Sequence, residues 1–470
     1  MKKKLSLILF LLSCCTVTVL SQNKKPNIVL ILADDLGYGD VGFNGQKLIK
    51  TPNLDRLAKD GITLKQFYAG TAVCAPSRSS LMTGKHTGHT FIRGNLGVEP
   101  EGQYPIPDTI VTLAEVLKKS GYKTAAYGKW GLGPVGSEGD PNRQGFDHFF
   151  GYNCQSLAHR YYPEHLWNDQ EKVLLKENSK LESPKQYASD LIQEQALAFI
   201  EKNKKEPFFL FLPSILPHAE LIVPNDSIFR YYKGKFAEKT FKGFDYGTNA
   251  KPTGYVSQQY PHATFAAMVT RLDLYVGQVV AKLKELGLEE NTLIIFTSDN
   301  GPHKEGGADP EFFNSAAGFR GIKRDLYEGG IRVPFVAKWP KVIKAGQSSD
   351  FTGAFWDIMP TLSEITGSKN PQNVDGISFT NTLMGRKNQN THKYLYWEFH
   401  EGGGKQAVRY GNWKGIRLNV LKDKNAVIEL YDLSSDPQEK YDIALKHPDI
   451  AKKIALFMNE AHTESQIFPW

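Results

Sequence analysis

A few side chains in this 470-residue chain stand out by type and position. Asp34-Asp35 closes the apolar run Asn27 to Ala33, and Asp299-Asn300 follows the apolar run Leu293 to Thr297. Adjacent carboxylates at the end of a buried strand repel one another unless a cation lies between them. Three carboxylates and one amide oxygen form a hard, all-oxygen donor set, suited to calcium or magnesium rather than zinc. Taken singly, either pair also fits an ordinary helix cap or turn. Between them lies Cys74-Ala75-Pro76-Ser77-Arg78. Pro76 suits the first turn of a helix, so Cys74 falls at a helix N-terminus, where free N–H groups attract anions. Arg78 follows one turn later on the same face. A lone cysteine there would ordinarily be a buried structural residue. Two further apolar runs end in Gly128-Lys129 and in a proline-bounded loop carrying His218.

These groups need a scaffold that gathers strand ends. Asn27 to Ala33, Lys123 to Tyr127, Phe208 to Leu212 and Leu293 to Thr297 read as strands buried on both faces. Helical periodicity runs over Thr109 to Lys119, Tyr187 to Lys202 and Ala263 to Leu286. The alternation predicts an α/β fold, a large, mostly parallel sheet sandwiched by helices. Ligands of such sheets bind at the carboxyl ends of the strands, where the chemical groups sit. From about residue 370 the pattern changes to short strands with tight turns at Tyr394 to Phe399, Gln406 to Tyr410, Trp413 to Arg417 and Val427 to Tyr431. A helix from Pro448 to Ala461 closes the chain. The expected organisation is a leader at 1–21, a catalytic domain at 22–369 and a small C-terminal α+β subdomain with an antiparallel sheet at 370–470.

The N-terminus reads as a secretory leader. Lys2, Lys3 and Lys4 precede an apolar run, and Ser21 offers a cleavage point. An exported, periplasmic location follows, with a lipoprotein anchored at Cys14 as the alternative. No later segment is long and apolar enough to span a bilayer. Loss of the three leader lysines lowers the net charge from +7 to +4, too weak to argue for nucleic acid. Only Cys74 and Cys154 of the four cysteines remain, which excludes a disulfide framework. Cys154 reads as a small buried residue.

Cys74-Ala75-Pro76-Ser77-Arg78 with Leu81-Met82-Thr83-Gly84 resembles the signature of the type I, formylglycine-dependent sulfatases, within the alkaline phosphatase superfamily. Asn27-Ile28-Val29 with Ala33-Asp34-Asp35-Leu36-Gly37 resembles the opening strand of that family. Gly128-Lys129-Trp130, Pro217-His218, Ser298-Asp299-Asn300-Gly301, Gly321-Ile322-Lys323 and Glu328-Gly329-Gly330-Arg332-Val333-Pro334 match further blocks in order. Leu430-Tyr431-Asp432-Leu433 with Asp436-Pro437 is similar to the family's C-terminal region.

The resemblance implies an alkaline-phosphatase-like fold and hydrolysis of sulfate esters. It implies that a separate formylglycine-generating enzyme oxidises Cys74 to an aldehyde whose hydrate is the nucleophile. Asp34, Asp35, Asp299, Asn300 and the modified Cys74 would hold one calcium ion. One hydroxyl of the hydrate would attack sulfur, and the other would collapse the sulfated intermediate. Lys129, Lys323 and Arg78 would supply fixed positive charge, and His218 would donate a proton to the leaving alcohol.

Two departures stand out. Many members carry a histidine two residues after the catalytic lysine, where this chain has Gly131. Some have a serine near the sulfate, where this chain places Gln155. On the substrate side, Cys154 to Tyr162 and Tyr396 to His400 are rich in aromatic and hydrogen-bonding groups, which suit sugar rings as well as ordinary packing. Gln155, His159, Arg160 and His400 are the candidate substrate-binding residues. The expected substrate is a sulfated saccharide. A phosphodiesterase or phosphonate hydrolase of the same superfamily is the competing enzyme reading. A catalytically silent glycan-binding protein is the non-enzymatic one, motivated by Gly131.

Overall fold

The computed structural model describes residues 25–99, 101–178, 185–245 and 254–470. The expected leader, with Cys14, lies outside the described residues. Ten strands form one sheet: β1 (Asn27–Ala33), β2 (Ile62–Tyr68), β3 (Lys123–Lys129), β4 (His148–Tyr152), β5 (His165–Asn168), β6 (Glu171–Leu174), β7 (Phe208–Pro213), β8 (Thr292–Ser298), β9 (Phe335–Lys338) and β10 (Gln347–Ala354). Their order is β10-β2-β9-β8-β1-β7-β3-β4-β5-β6.

The middle five, β8-β1-β7-β3-β4, run parallel. The flanks do not. β9 is antiparallel to both β8 and β2, while β5 and β6 add an antiparallel hairpin beside β4. The sheet is therefore mixed, with a parallel centre. The hairpin has a physical cause, since Asp169 takes a φ of 51° in its two-residue turn, a conformation Asp tolerates.

Burial follows the strand period of two. Val29, Ile31 and Ala33 pack on one face of β1, against the helices Ala188–Lys202 and Pro261–Glu285. Ile28, Leu30 and Leu32 pack on the other, against the helices Cys74–Thr83, Leu113–Lys119 and Ile358–Thr366. Both faces are thus covered, which is why β1 reads as one unbroken apolar run. The helix expected from Thr109 begins only at Leu113. Thr112 caps it: its Oγ1 accepts the Glu115 N–H at 3.3 Å, and Glu115 Oε2 accepts the Thr112 N–H at 2.8 Å.

The tail forms a separate antiparallel sheet in the order β11 (Leu395–Phe399), β12 (Lys405–Tyr410), β13 (Trp413–Leu418) and β14 (Ile428–Asp432). One face, with Trp397 and Ile416, packs on Tyr68, Val73 and Trp356 of the larger body. The other, with Tyr396 and Leu430, is covered by the helix Pro448–Ala461 through Ile454 and Met458. Among the described residues no helix is long and apolar enough to cross a membrane.

Candidate active site

The site forms where the parallel strands end. Ala33 of β1 is paired with Ser298 of β8, so Asp34-Asp35 and Asp299-Asn300 leave the sheet side by side. Backbone bonds fix the exit: the Asp299 N–H donates to Ala33 O at 3.0 Å and the Asp34 N–H to Leu216 O at 3.1 Å. Asp35 turns back in the left-handed region (φ 64°), with its N–H on Asp299 Oδ1 at 3.1 Å. The helix Cys74–Thr83 is buried throughout and starts at Cys74 itself. The Cys74 thiol donates to Asp34 Oδ1 at 3.2 Å.

Arg78, one turn on, is clamped. Its Nη2 donates to Asp34 Oδ2 at 3.1 Å and Asp299 Oδ2 at 2.9 Å, and its Nη1 to Lys129 O at 2.5 Å. Lys129 Nζ, fully buried at the end of β3, reaches Asp34 Oδ2 at 2.7 Å. Lys323 Nζ lies within 2.8 Å of Asp35 Oδ2, 2.9 Å of Glu305 Oε2 and 3.2 Å of His218 Nε2. Donor atoms of Asp34, Asp35, Cys74 and His218 all lie within 4.8 Å of one another. Asn300 Nδ2 donates to Asp35 Oδ1 at 2.7 Å, while its buried Oδ1 has no hydrogen-bond partner.

The electrostatics follow from this crowding. Burial pushes the Cys74 thiol well above its ordinary value, and Asp299 and Asp34 push it further. An unmodified thiol here stays protonated and is a poor nucleophile. Burial would raise Asp34, but Lys129, His218 and Arg78 hold it far below the usual carboxylate range. Asp299 is pushed up to about 7 by burial and by Asp34. With the cations on hand already engaged, Asp299 remains under-compensated. A buried amide oxygen without a partner and a carboxylate inclined to keep its proton are what a hard divalent cation would relieve.

His218 is held between two rings, His159 at 5.1 Å and 11° on one side and His303 at 5.9 Å and 17° on the other. Its Nδ1 faces Ala219 O, so Nε2 is the acceptor turned to Lys323. Burial and Lys323 push His218 well below its ordinary value. Lys323 is pushed the other way by Asp35, against the effect of burial.

The structure brings Asp34, Asp35, Cys74, Arg78, Lys129, His218, Asp299, Asn300 and Lys323 into one connected cluster. Two of the candidate substrate residues stand beside it. A β-carbon on Gly131 (φ 75°) would lie 2.4 Å from Gln155 Nε2, so the amide occupies the space that a side chain at Gly131 would need. Gln155 Nε2 and His159 Nδ1 are buried without hydrogen-bond partners. The other two are held differently. Arg160 Nη1 pairs with the buried Glu220 at 2.8 Å. His400 stacks on Trp470 at 4.0 Å and its Nε2 meets Glu398 at 2.9 Å, in the contact between the small sheet and the main body. Cys154 is buried, with its sulfur accepting the Leu157 N–H at 3.4 Å. Glu305 and His303 join the site with no sequence signal beyond their place after a strand end, and Tyr255, whose ring lies 5.5 Å from that of His159, joins it with none.

A family model described as Sulfatase matches residues 26–368. The chain belongs to the sulfatase family. A second family model, N-sulphoglucosamine sulphohydrolase C-terminal, matches residues 320–464 of this sulfatase. The chain is 29% identical to an N-acetylgalactosamine-6-O-sulfatase of Bacteroides thetaiotaomicron, over 96% of this chain and 97% of that one. It is 32% identical to arylsulfatase G of Mus musculus, over 85% of this sulfatase and 75% of the relative. In three dimensions it is similar to the crystal structure of Ps i-CgsB in complex with k-i-k-neocarrahexaose. The TM-score is 0.77 with 28% identity, covering 93% of this chain and 92% of that one. Family membership makes the chain a sulfate-ester hydrolase on an alkaline-phosphatase-like fold.

Proposed function

We propose that this sulfatase is an exported enzyme that hydrolyses sulfate esters on a sulfated carbohydrate, after Cys74 has been converted to formylglycine by a separate maturation enzyme. The single observation that carries the reading is the contact of the Cys74 sulfur with Asp34, whose other oxygen is held by Lys129, next to Asp35 held by Lys323. The carbohydrate class is supported by the named sugar specificity of the Bacteroides relative and by the oligosaccharide in the similar crystal structure.

Asp34, Asp35, Asp299, Asn300 and the oxidised residue 74 would hold one calcium ion. Bound there, the ion would polarise the sulfate ester and offset charge on its oxygens. The aldehyde at residue 74, once hydrated, would supply the nucleophilic oxygen that the protonated thiol cannot.

The remaining roles belong to the chain's own side chains. Arg78 keeps the carboxylates in place and holds its charge beside residue 74. Lys129 and Lys323 flank the position where sulfate oxygens would gather charge, and being buried they cost no reorganisation during transfer. His218, held 3.2 Å from Lys323 Nζ through its Nε2, would pass a proton to the leaving oxygen, with Lys323 beside it as a fixed positive charge. The stacked rings of His159 and His303 keep the His218 plane fixed. The leader cleaved near Ser21, or a lipid anchor at Cys14, would place the enzyme in the periplasm or at its membrane. The catalytic region would span 22–369, with a small C-terminal subdomain at 370–470.

Mass spectrometry of the peptide around Cys74, together with sulfate release from a panel of defined sulfated saccharides, tests this. An unmodified thiol in active enzyme would sink it. Chelation should abolish turnover, and calcium should restore it where zinc does not; turnover indifferent to chelation would remove the metal from the reading.

A further inference from the structure

Arg324 follows Lys323 directly, and its backbone lies in the left-handed region with φ 77°. A long side chain is disfavoured in that conformation, and glycine or asparagine would take it more cheaply. The surroundings impose it from two sides. The Arg324 N–H donates to Ala72 O at 2.9 Å, two residues before Cys74. The Arg324 carbonyl accepts from Lys405 Nζ of β12 at 2.6 Å, and the same ammonium reaches Asp325 Oδ1 at 3.0 Å. The catalytic body and the small sheet together hold this residue in a conformation its side chain disfavours.

The guanidinium does not return that cost as stability. Its side chain is 48% exposed, and among the described residues its ion pair is with Glu305 Oε1 at 2.6 Å. Pairs with a partner so exposed are worth little. The other Glu305 oxygen is on Lys323, so one carboxylate ties the rim arginine to the buried lysine. Arginine has five N–H donors in a flat fork that matches carboxylate and sulfate oxygens. The side chain is about half exposed, and its Glu305 contact places it one carboxylate away from Lys323. Strain that persists where the surroundings over-determine it marks a position kept for use rather than for stability.

We propose that Arg324 binds a second anionic group, carried by the sugar next to the sulfated one, so that the preferred substrate is a polyanionic glycan. This rests on the reading of the site as a sulfate-ester pocket. The shared chemistry is a planar or tetrahedral oxyanion, either a carboxylate or a further sulfate.

The test uses full-length matured enzyme with calcium and the sulfated sugar identified by the saccharide panel. Three disaccharides are compared, whose neighbouring sugar is neutral, carries a carboxylate, or carries a sulfate. The wild type is expected to favour at least one anionic neighbour by about tenfold or more in kcat/KM, the worth of one charge-assisted hydrogen-bonded contact. The arm that shows the preference identifies the anion. Arg324→Gly and Arg324→Asn, both suited to the left-handed backbone, should collapse that ratio through KM and leave the melting temperature equal or higher. A wild type without preference, variants that keep it, or variants that melt lower would each overturn the inference while leaving the sulfatase reading intact. Failure of the wild type on the whole panel would instead overturn both.

Discussion

Glu398→Gln is expected to destabilise the protein by about 3 kcal/mol at neutral pH, and the loss should shrink in acid. Glu398 lies buried on β11, where the small sheet meets the catalytic body. Its Oε1 accepts from Tyr396 Oη at 2.7 Å and meets His462 Nδ1 at 2.6 Å. Its Oε2 meets His400 Nε2 at 2.9 Å and Arg93 Nη1 at 3.4 Å. Arg93 also donates to Thr463 O at 2.6 Å, so the network ties the chain's end to the main domain. Burial alone would raise this carboxyl, but the bonds from His400 and His462, with Arg93, lower it from 4.5 to about 2. That depression is worth about 3 kcal/mol. Because the folded value is the lower one, the contribution is complete above pH 4.5 and is lost as pH falls toward 2. An amide keeps the shape but puts an NH₂ where an acceptor is required. Urea unfolding of both proteins measures the difference, expected at about 3 kcal/mol at pH 7 and about 2 kcal/mol at pH 3.5. A gap that is the same at both pH values, or below about 1 kcal/mol at pH 7, would refute the assignment.

Two more substitutions probe separate parts of the argument. Gly131→Ala forces a side chain into a left-handed position already filled by Gln155; it should cost about 1–2 kcal/mol in thermal unfolding and lower kcat/KM by about tenfold as the amide is displaced. Unchanged stability and turnover would show that Gln155 is not held there. Thr112→Ala removes the capping box of Leu113–Lys119 and should cost about 1 kcal/mol by urea denaturation with kcat unaltered; loss of activity per folded molecule would mean that this helix does more than pack.

The boundaries of the terminal helix, Pro448 to Ala461, were legible because proline opens it and apolar residues recur at helical spacing. The helix before β3 was less so: Thr109 to Thr112 carry on the apolar pattern, yet the capping box excludes them. The flanking strands β2, β9 and β10 left no strong trace, being partly exposed or, like β9, only four residues long. Asp34-Asp35, Lys129 and Asp299-Asn300 could be found because each closes a strand of a parallel sheet, and strand ends converge by topology alone. Cys74 and Arg78 could be found because one helical turn relates them.

What local pattern cannot carry is which loop side chain meets which. The same stretch of chain turns Gln155 over Gly131, lays His159 on His218 and commits Arg160 to Glu220. Nothing in the spacing of those residues distinguishes the three outcomes. Glu305 and Arg324 are nineteen positions apart and meet only because two loops fold back beside Lys323, with Lys405 of the small sheet pinning the arginine. Periodicity records how a segment buries its own apolar face. Contacts between loops depend on distances set by the whole sheet, so the amino-acid order alone determined the ingredients of the site, and the tertiary structure decided which of them share it.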